Sequence, residues 1–228
     1  MTPQQARQLV DMQVAFNQVI DPDYPANPKV KRDDVKAILV ELGEYFEHTA
    51  YKWWKKQDAD WDQANMELID ILHFGISDAV EQACQYETDV ETALAQVAQL
   101  IYYSFESPDQ VEDGKDLVVA MALDGAGAHK LVCGEAFFAA LAGMLVKAYG
   151  DADTVYLTYV GKNALNKLRQ ERGYKQGTYI KIWQGEEDNE VMMRMLSAQR
   201  EDITGAEQPL TFAFTLLLSH YDEQIAEQ

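Results

Sequence analysis

Cysteine and histidine are scarce in this sequence, with two cysteines, Cys84 and Cys133, and four histidines among 228 residues. The cysteines lie far apart in apolar surroundings, which excludes a disulfide scaffold or a thiolate zinc site and fits a reducing, cytoplasmic compartment. Basic residues are also in deficit: 19 Lys and Arg face 38 Asp and Glu, a formal charge of −19. A field of that sign repels phosphate backbones and anionic membrane surfaces, so neither a nucleic-acid polymer nor a membrane is an expected partner. No stretch reaches the roughly 18 uncharged apolar residues that a spanning helix needs. The opening residues MTPQQARQLVDMQ have neither the basic nor the apolar region of a signal peptide, so the chain is expected to be neither exported nor embedded. Familiar signatures are missing too. Gly161-Lys162-Asn163 lacks the earlier glycine and the hydroxyl of a phosphate-binding loop, and Gly125-Ala126-Gly127 lacks the third glycine of a dinucleotide fingerprint. HExxH, CxxC and GxSxG do not occur, which removes support for zinc proteolysis and for serine or cysteine nucleophiles.

What is there is ordinary globular material, 47% apolar and 25% charged, enough for one compact domain over residues 1–228. Apolar residues recur at helical spacing, as in Leu9, Met12, Phe16, Val19 and Ile20, and the fold class is all-α. Thr2 and Pro3 open a first helix that ends before Asp21-Pro22. A second is expected from Asp33 or Asp34 to about Lys56, followed by a short turn and a third from Asp60 or Asp62 to about Tyr86. Such neighbours pack antiparallel. Thr88-Asp89-Val90-Glu91 has capping-box spacing for a fourth helix reaching about Phe105. Further helices are expected as a short one at Leu117 to Leu123, then from about His129 to Tyr149 and from about Asp153 to Arg172. A loop from Gly173 to Glu186 precedes helices at about Asp188 to Gln199 and from Pro209 to His220.

Two groups of residues suggest chemistry. Glu41 and Glu44 are three apart on the second helix, and Glu67 and Asp70 are three apart on the third, each pair amid apolar neighbours. Four acids drawn toward a core-facing stripe must protonate or bind a cation, and hard oxygen donors with few histidines favour Mg²⁺, with Mn²⁺ as a substitute. Solvated helix surface is the bland alternative for either pair alone. The second group is a reversal of charge: from Lys162 to Lys181 there are six cations and one acid, Glu171. Lys162, Asn166 and Arg169 share one helix face and Lys175 follows, a grip for a phosphate chain unless local acids neutralise it. Together the two groups suggest a metal-bridged polyphosphate.

The segments ELGEYFEHTAYKWWK (Glu41 to Lys55), ELIDILHF (Glu67 to Phe74) and YVGKNALNKLRQERGYKQGTYIKIWQGEEDN (Tyr159 to Asn189), in that order, resemble the dimeric all-α dUTPases. These are relatives of the MazG-like nucleotide pyrophosphohydrolases, and Gln13 and Asn17 in DMQVAFNQ add a weaker match. Tyr51 stands where some members carry tryptophan. The resemblance implies a single-domain helical bundle and a homodimer that hydrolyses dUTP and dUDP to dUMP with Mg²⁺. It implies that Glu41, Glu44, Glu67 and Asp70 hold the metal, and that Lys162, Arg169, Tyr174 and Lys175 hold the phosphates. Glu41 is then the candidate to orient the attacking water. Gln13, Asn17, Trp53, His73, Phe74 and Asn166 are implied to form the base pocket. Carboxamides match the carbonyls and N3–H of uracil, and a wall such as Trp53 or Phe74 excludes the methyl of thymine. Three alternatives remain at this point: a MazG-like hydrolase of another nucleotide, a di-metal carboxylate oxidoreductase in which Asp70 and His73 share a helix face, and an acidic interaction protein.

Overall fold

A computed structural model describes residues 1–226. It is 71% helical, with ten α-helices and one two-residue antiparallel strand pair among the described residues, and so has the all-α class that the periodicity predicts. The chain divides into two compact units, residues 1–155 and 156–228.

In the first unit α1 (Pro3–Ile20), α2 (Asp34–His48), α4 (Val90–Glu106) and α6 (Glu135–Tyr149) all pack with α3 (Trp61–Tyr86), or with a helix that does. The 26-residue α3 is the central element, touching α1, α2, α4 and α6. Leu68, Ile69, Ile71, Leu72, Ile76 and Val80 are fully buried along it. At about 1.5–3 kcal/mol for each such side chain, this is a strong anchor for everything packed on it. The approach of α6 is close. A Cβ at Gly75 would lie 2.7 Å from the Phe137 ring, so only glycine fits there.

Helix starts follow local rules. Thr2 and Gln5 make a reciprocal capping box on α1, Asp33 accepts from the Lys36 amide, and Asp60 accepts from Gln63. Several boundaries differ from the expectation, among them the end of the last helix, which runs to Ala226 rather than His220. α2 stops at His48 rather than Lys56, because Ala50 turns left-handed (φ 54°) and the His48 carbonyl accepts instead from the Asp60 amide. Residues 49–60 are therefore an irregular connection and not a short turn. The α4 cap is Asp89, which accepts from the amide and hydroxyl of Thr92, one residue beyond the predicted Thr88. α6 begins at Glu135, not His129, which has a left-handed backbone (φ 53°) at the end of a 3₁₀ turn.

The start of α6 has no capping side chain of its own, since its N-cap is Gly134. Asp124, the last residue of α5 (Lys115–Asp124), supplies one from a distance. Its carboxylate accepts from the amides of Gly134 at 2.9 Å, Ala136 at 3.0 Å and Phe137 at 2.9 Å. Three of the otherwise unpaired donors at a positive helix end are thereby satisfied.

α7 (Ala152–Glu171) runs across residue 155 into the second unit. There the expected loop contains a hairpin, β1 (Ile182–Trp183) paired with β2 (Glu186–Glu187), turned by Gln184 and Gly185 at positive φ. α8 (Asp188–Ala198), an unanticipated short α9 (Arg200–Gly205) and α10 (Pro209–Ala226) complete it. Trp183 is buried and meets Tyr221 of α10 edge-on at 5.4 Å. Gly161 lets α7 meet α8, since a Cβ there would fall 1.9 Å from a Leu196 methyl.

The Asp124 cap is testable. Asp124→Ala should lower the urea-unfolding stability by about 2 kcal/mol, at the upper end for a lost cap because three amides lose their acceptor. Asp124→Asn should lose less.

Candidate active site

The α2–α3 pairing brings acids together because apolar residues beside them must pack. Ile38 and Leu42 are buried on α2, with Glu41 next to Leu42, and Glu67 and Asp70 flank buried Leu68 and Ile69 on α3. One carboxylate oxygen each from Glu41, Glu67 and Asp70 lies within 4.8 Å of the others. Glu67 is buried, while Glu41 and Asp70 are half-buried. Glu44 is exposed and outside this group, though its charge still reaches Glu41. Burial, then the negative charges of Asp70, Glu67 and Glu44 and a hydrogen bond with Glu67, push the Glu41 carboxyl up to about 7. Near neutrality such a group either keeps a proton or takes up a cation. Three hard oxygen donors of this kind fit a divalent metal. The His48 ring nitrogen Nε2 stands 3.8 Å from Glu67 Oε1 at the edge of the cluster.

One and two turns further along α3, the base-pocket candidates form a second group. His73 Nδ1 lies 2.7 Å from Gln13 Oε1, and Gln13 donates to Asn17 Oδ1 at 3.2 Å. Both carboxamides also donate to Ser77 Oγ, at 2.9 and 3.0 Å. Gln13, Asn17, His73 and Ser77 are all buried. Ser77 was absent from the sequence-based set; its place four residues after His73, on the same helix face, is the signal that could have found it. Phe74 is half-buried. Trp53 lies in the 49–60 connection, 89% exposed and edge-on to Trp54 at 5.6 Å.

In the second unit Lys162 is buried and Asn166 half-buried on α7. Arg169 makes a bidentate pair with Asp188, through Nε and Nη2, both at 2.8 Å. Burial works against the charge on Arg169, but Asp188 outweighs it and the guanidinium is held above its usual range. Asp188 is fully buried and also accepts from the Tyr179 hydroxyl at 2.8 Å. Neither partner was foreseen, since Asp188 lies 19 residues from Arg169. Arg172 pairs with Asp222, and Lys167 stands 4.0 Å from Glu171, so acids do neutralise part of the basic window. Tyr174 and Lys175 are exposed on a 3₁₀ turn (Tyr174–Gln176) between Gly173 and Gly177, both at positive φ.

A family model described as dUTPase matches residues 5–174, three-quarters of the chain. The chain belongs to the all-α dUTPase family. The match spans the carboxylate cluster, the carboxamide group and the basic residues up to Tyr174, and makes the protein a dUTP diphosphatase. No curated protein matches the chain. Among the described residues no helix is long and apolar enough to cross a membrane.

The acid cluster has a pH signature in the metal-free dUTPase. Glu41 holds its proton to about 7 when folded, against 4.5 as an ordinary glutamate. Between those values the folded chain binds the proton that the unfolded chain has released, so stability falls as pH rises through this window. Chemical denaturation in a chelating buffer should show that decline, and Glu41→Gln should flatten it.

Proposed function

We propose that this dUTPase converts dUTP, and also dUDP, to dUMP, releasing pyrophosphate or phosphate, with Mg²⁺ as its ion and Mn²⁺ as a substitute. The observation that carries the reading is the convergence of Glu41, Glu67 and Asp70 oxygens within 4.8 Å in a chain of this family. Glu41, Glu67 and Asp70 would hold the metal, with Glu44 closing on it from the exposed side of α2. When bound, the metal supplies positive charge that polarises phosphoryl oxygens and lowers the pKa of water. Glu41 orients the attacking water. Lys162, Arg169, Tyr174 and Lys175 bind the phosphate chain and compensate its charge. Gln13, Asn17, Trp53, His73, Phe74 and Asn166 form the uracil pocket. Both compact units serve this one dUTPase function, and the enzyme is a cytoplasmic homodimer.

A pyrophosphate-release assay over the common nucleoside triphosphates, with and without Mg²⁺, tests the reading. Turnover is expected with dUTP only when Mg²⁺ is present, with dTTP, dCTP and UTP poor. A dCTP rate equal to that of dUTP would overturn the uracil pocket. Asp70→Asn or Glu44→Gln should reduce turnover by at least about a hundredfold, since several kcal/mol of charge stabilisation is lost, while the helical circular-dichroism spectrum is retained.

A further inference from the structure

Ser77 is fully buried on α3, and its hydroxyl donates to the His73 carbonyl oxygen one turn back, at 3.0 Å. A hydroxyl has one proton, so after that bond Oγ can only accept. The carboxamides of Gln13 and Asn17 both lie within bonding distance of Oγ, at 2.9 and 3.0 Å. Each must therefore turn its NH₂ group toward Ser77. For Gln13 this leaves Oε1 facing His73 Nδ1 at 2.7 Å. A carbonyl oxygen has no proton to give, so Nδ1 must carry one. The second N–H of Gln13 then meets Asn17 Oδ1 at 3.2 Å, and the Tyr24 hydroxyl donates to the Ser77 carbonyl at 3.2 Å, holding the serine in place.

We propose that Ser77 is a positioning residue that, through Gln13, holds His73 as the neutral tautomer protonated at Nδ1, and thereby sets which pyrimidine edge the pocket accepts. This rests on the assignment of His73 to the base pocket made above and gives it a mechanism. In that tautomer Nε2 carries a lone pair. Uracil presents N3–H and cytosine presents a bare N3, so a lone pair on Nε2 complements the first and opposes the second. The opposite tautomer would invert this preference. A hydroxyl that never touches the base thus ranks uracil above cytosine. Gln13 and Asn17, whose donors face Ser77 and each other, act as the wiring of the device.

The tautomer is measured without any nucleotide, by long-range ¹H–¹⁵N correlation of the imidazoles in the unmutated, ligand-free protein at about pH 8, where an ordinary imidazole is neutral. There are four histidines, and His73→Gln identifies the signal that matters. A protonated Nδ1 with a bare Nε2 is expected; a bare Nδ1, or protons on both nitrogens, would overturn the proposal. Ser77→Ala should leave the helical spectrum intact, mix the His73 tautomers, and lower the ratio of kcat/KM for dUTP over dCTP by about tenfold, or 1.4 kcal/mol. A folded Ser77→Ala enzyme with an unchanged tautomer and ratio would reduce the serine to packing and overturn its positioning role. If the variant does not fold, the tautomer in the unmutated protein decides. Equal turnover of dCTP and dUTP by the unmutated enzyme would overturn the specificity claim together with the pocket, whereas the tautomer stands or falls by its own signal.

Discussion

The packing of α2 on α3 is the constraint on which the site depends, because it forces acids to approach that would separate in solution. Two like charges about 4 Å apart repel by about 1 kcal/mol in bulk water and by several times that where the surroundings are less polar. Against this stand Ile38, Leu42, Leu68, Ile69, Ile71 and Leu72, each buried and each contributing about 1.5–3 kcal/mol. The apolar term wins, and the acids on the same helices are carried along. The electrostatic cost then appears as the upward shift of Glu41, which keeps its proton to about 7 and shares a hydrogen bond with Glu67. A cation relieves the same repulsion. Fold stability and readiness to bind metal are therefore two consequences of one helix pair.

α3 also gives the site its dimension. Glu67, Asp70, His73 and Ser77 follow at steps of three, three and four, which keeps them near one face of the helix. At about 1.5 Å per residue, Asp70 and Ser77 are separated by roughly 10 Å along the axis, and Glu67 and Ser77 by roughly 15 Å. Carboxylates thus stand toward one end of the helix and a buried hydrogen-bonded network toward the other. The rigidity of α3, buried on almost every side, means that the two ends keep their spacing without any contribution from loops.

Features carried by short-range spacing were legible in the sequence. The Thr2 and Asp60 caps, the long α3, the glycine stops at Gly150 and Gly173, and the pair Glu67 with Asp70 all follow from residues within one or two turns, whereas Glu44, the partner expected for Glu41, is exposed and outside the cluster. What escaped depends on hydrogen bonds between distant residues. α2 ends early because the His48 carbonyl is taken by the Asp60 amide, twelve residues on. α6 starts late because its cap is Asp124, ten residues before Gly134. Ser77 acquires its role only when Gln13 and Asn17 of α1 are brought beside it, sixty and more residues away in sequence. A serine within a helix otherwise carries no signal beyond its bond to the preceding turn.

The basic window shows how a charge count can mislead about the individual groups within it. Counted along the chain it is strongly positive, yet Arg169, Arg172 and Lys167 each have an acid partner in the folded second unit. For Arg172 and Lys167, whose partners are exposed, the pairing is weak and screened by salt. Arg169 is different, because Asp188 is fully buried and engages it through two parallel bonds. Those bonds occupy Nε and one proton of Nη2, out of five donors on the guanidinium. They fix its plane and leave Nη1 directed toward Asn166, at 3.4 Å. Removing one side of such a pair would strand a buried charge, at a cost of about 3–5 kcal/mol, so the geometry resists distortion. Asp188 thus fixes the orientation of the arginine as well as offsetting its charge, and the phosphate-binding role proposed for Arg169 gains from this, since a guanidinium already held in one orientation loses less entropy on binding than a free side chain would.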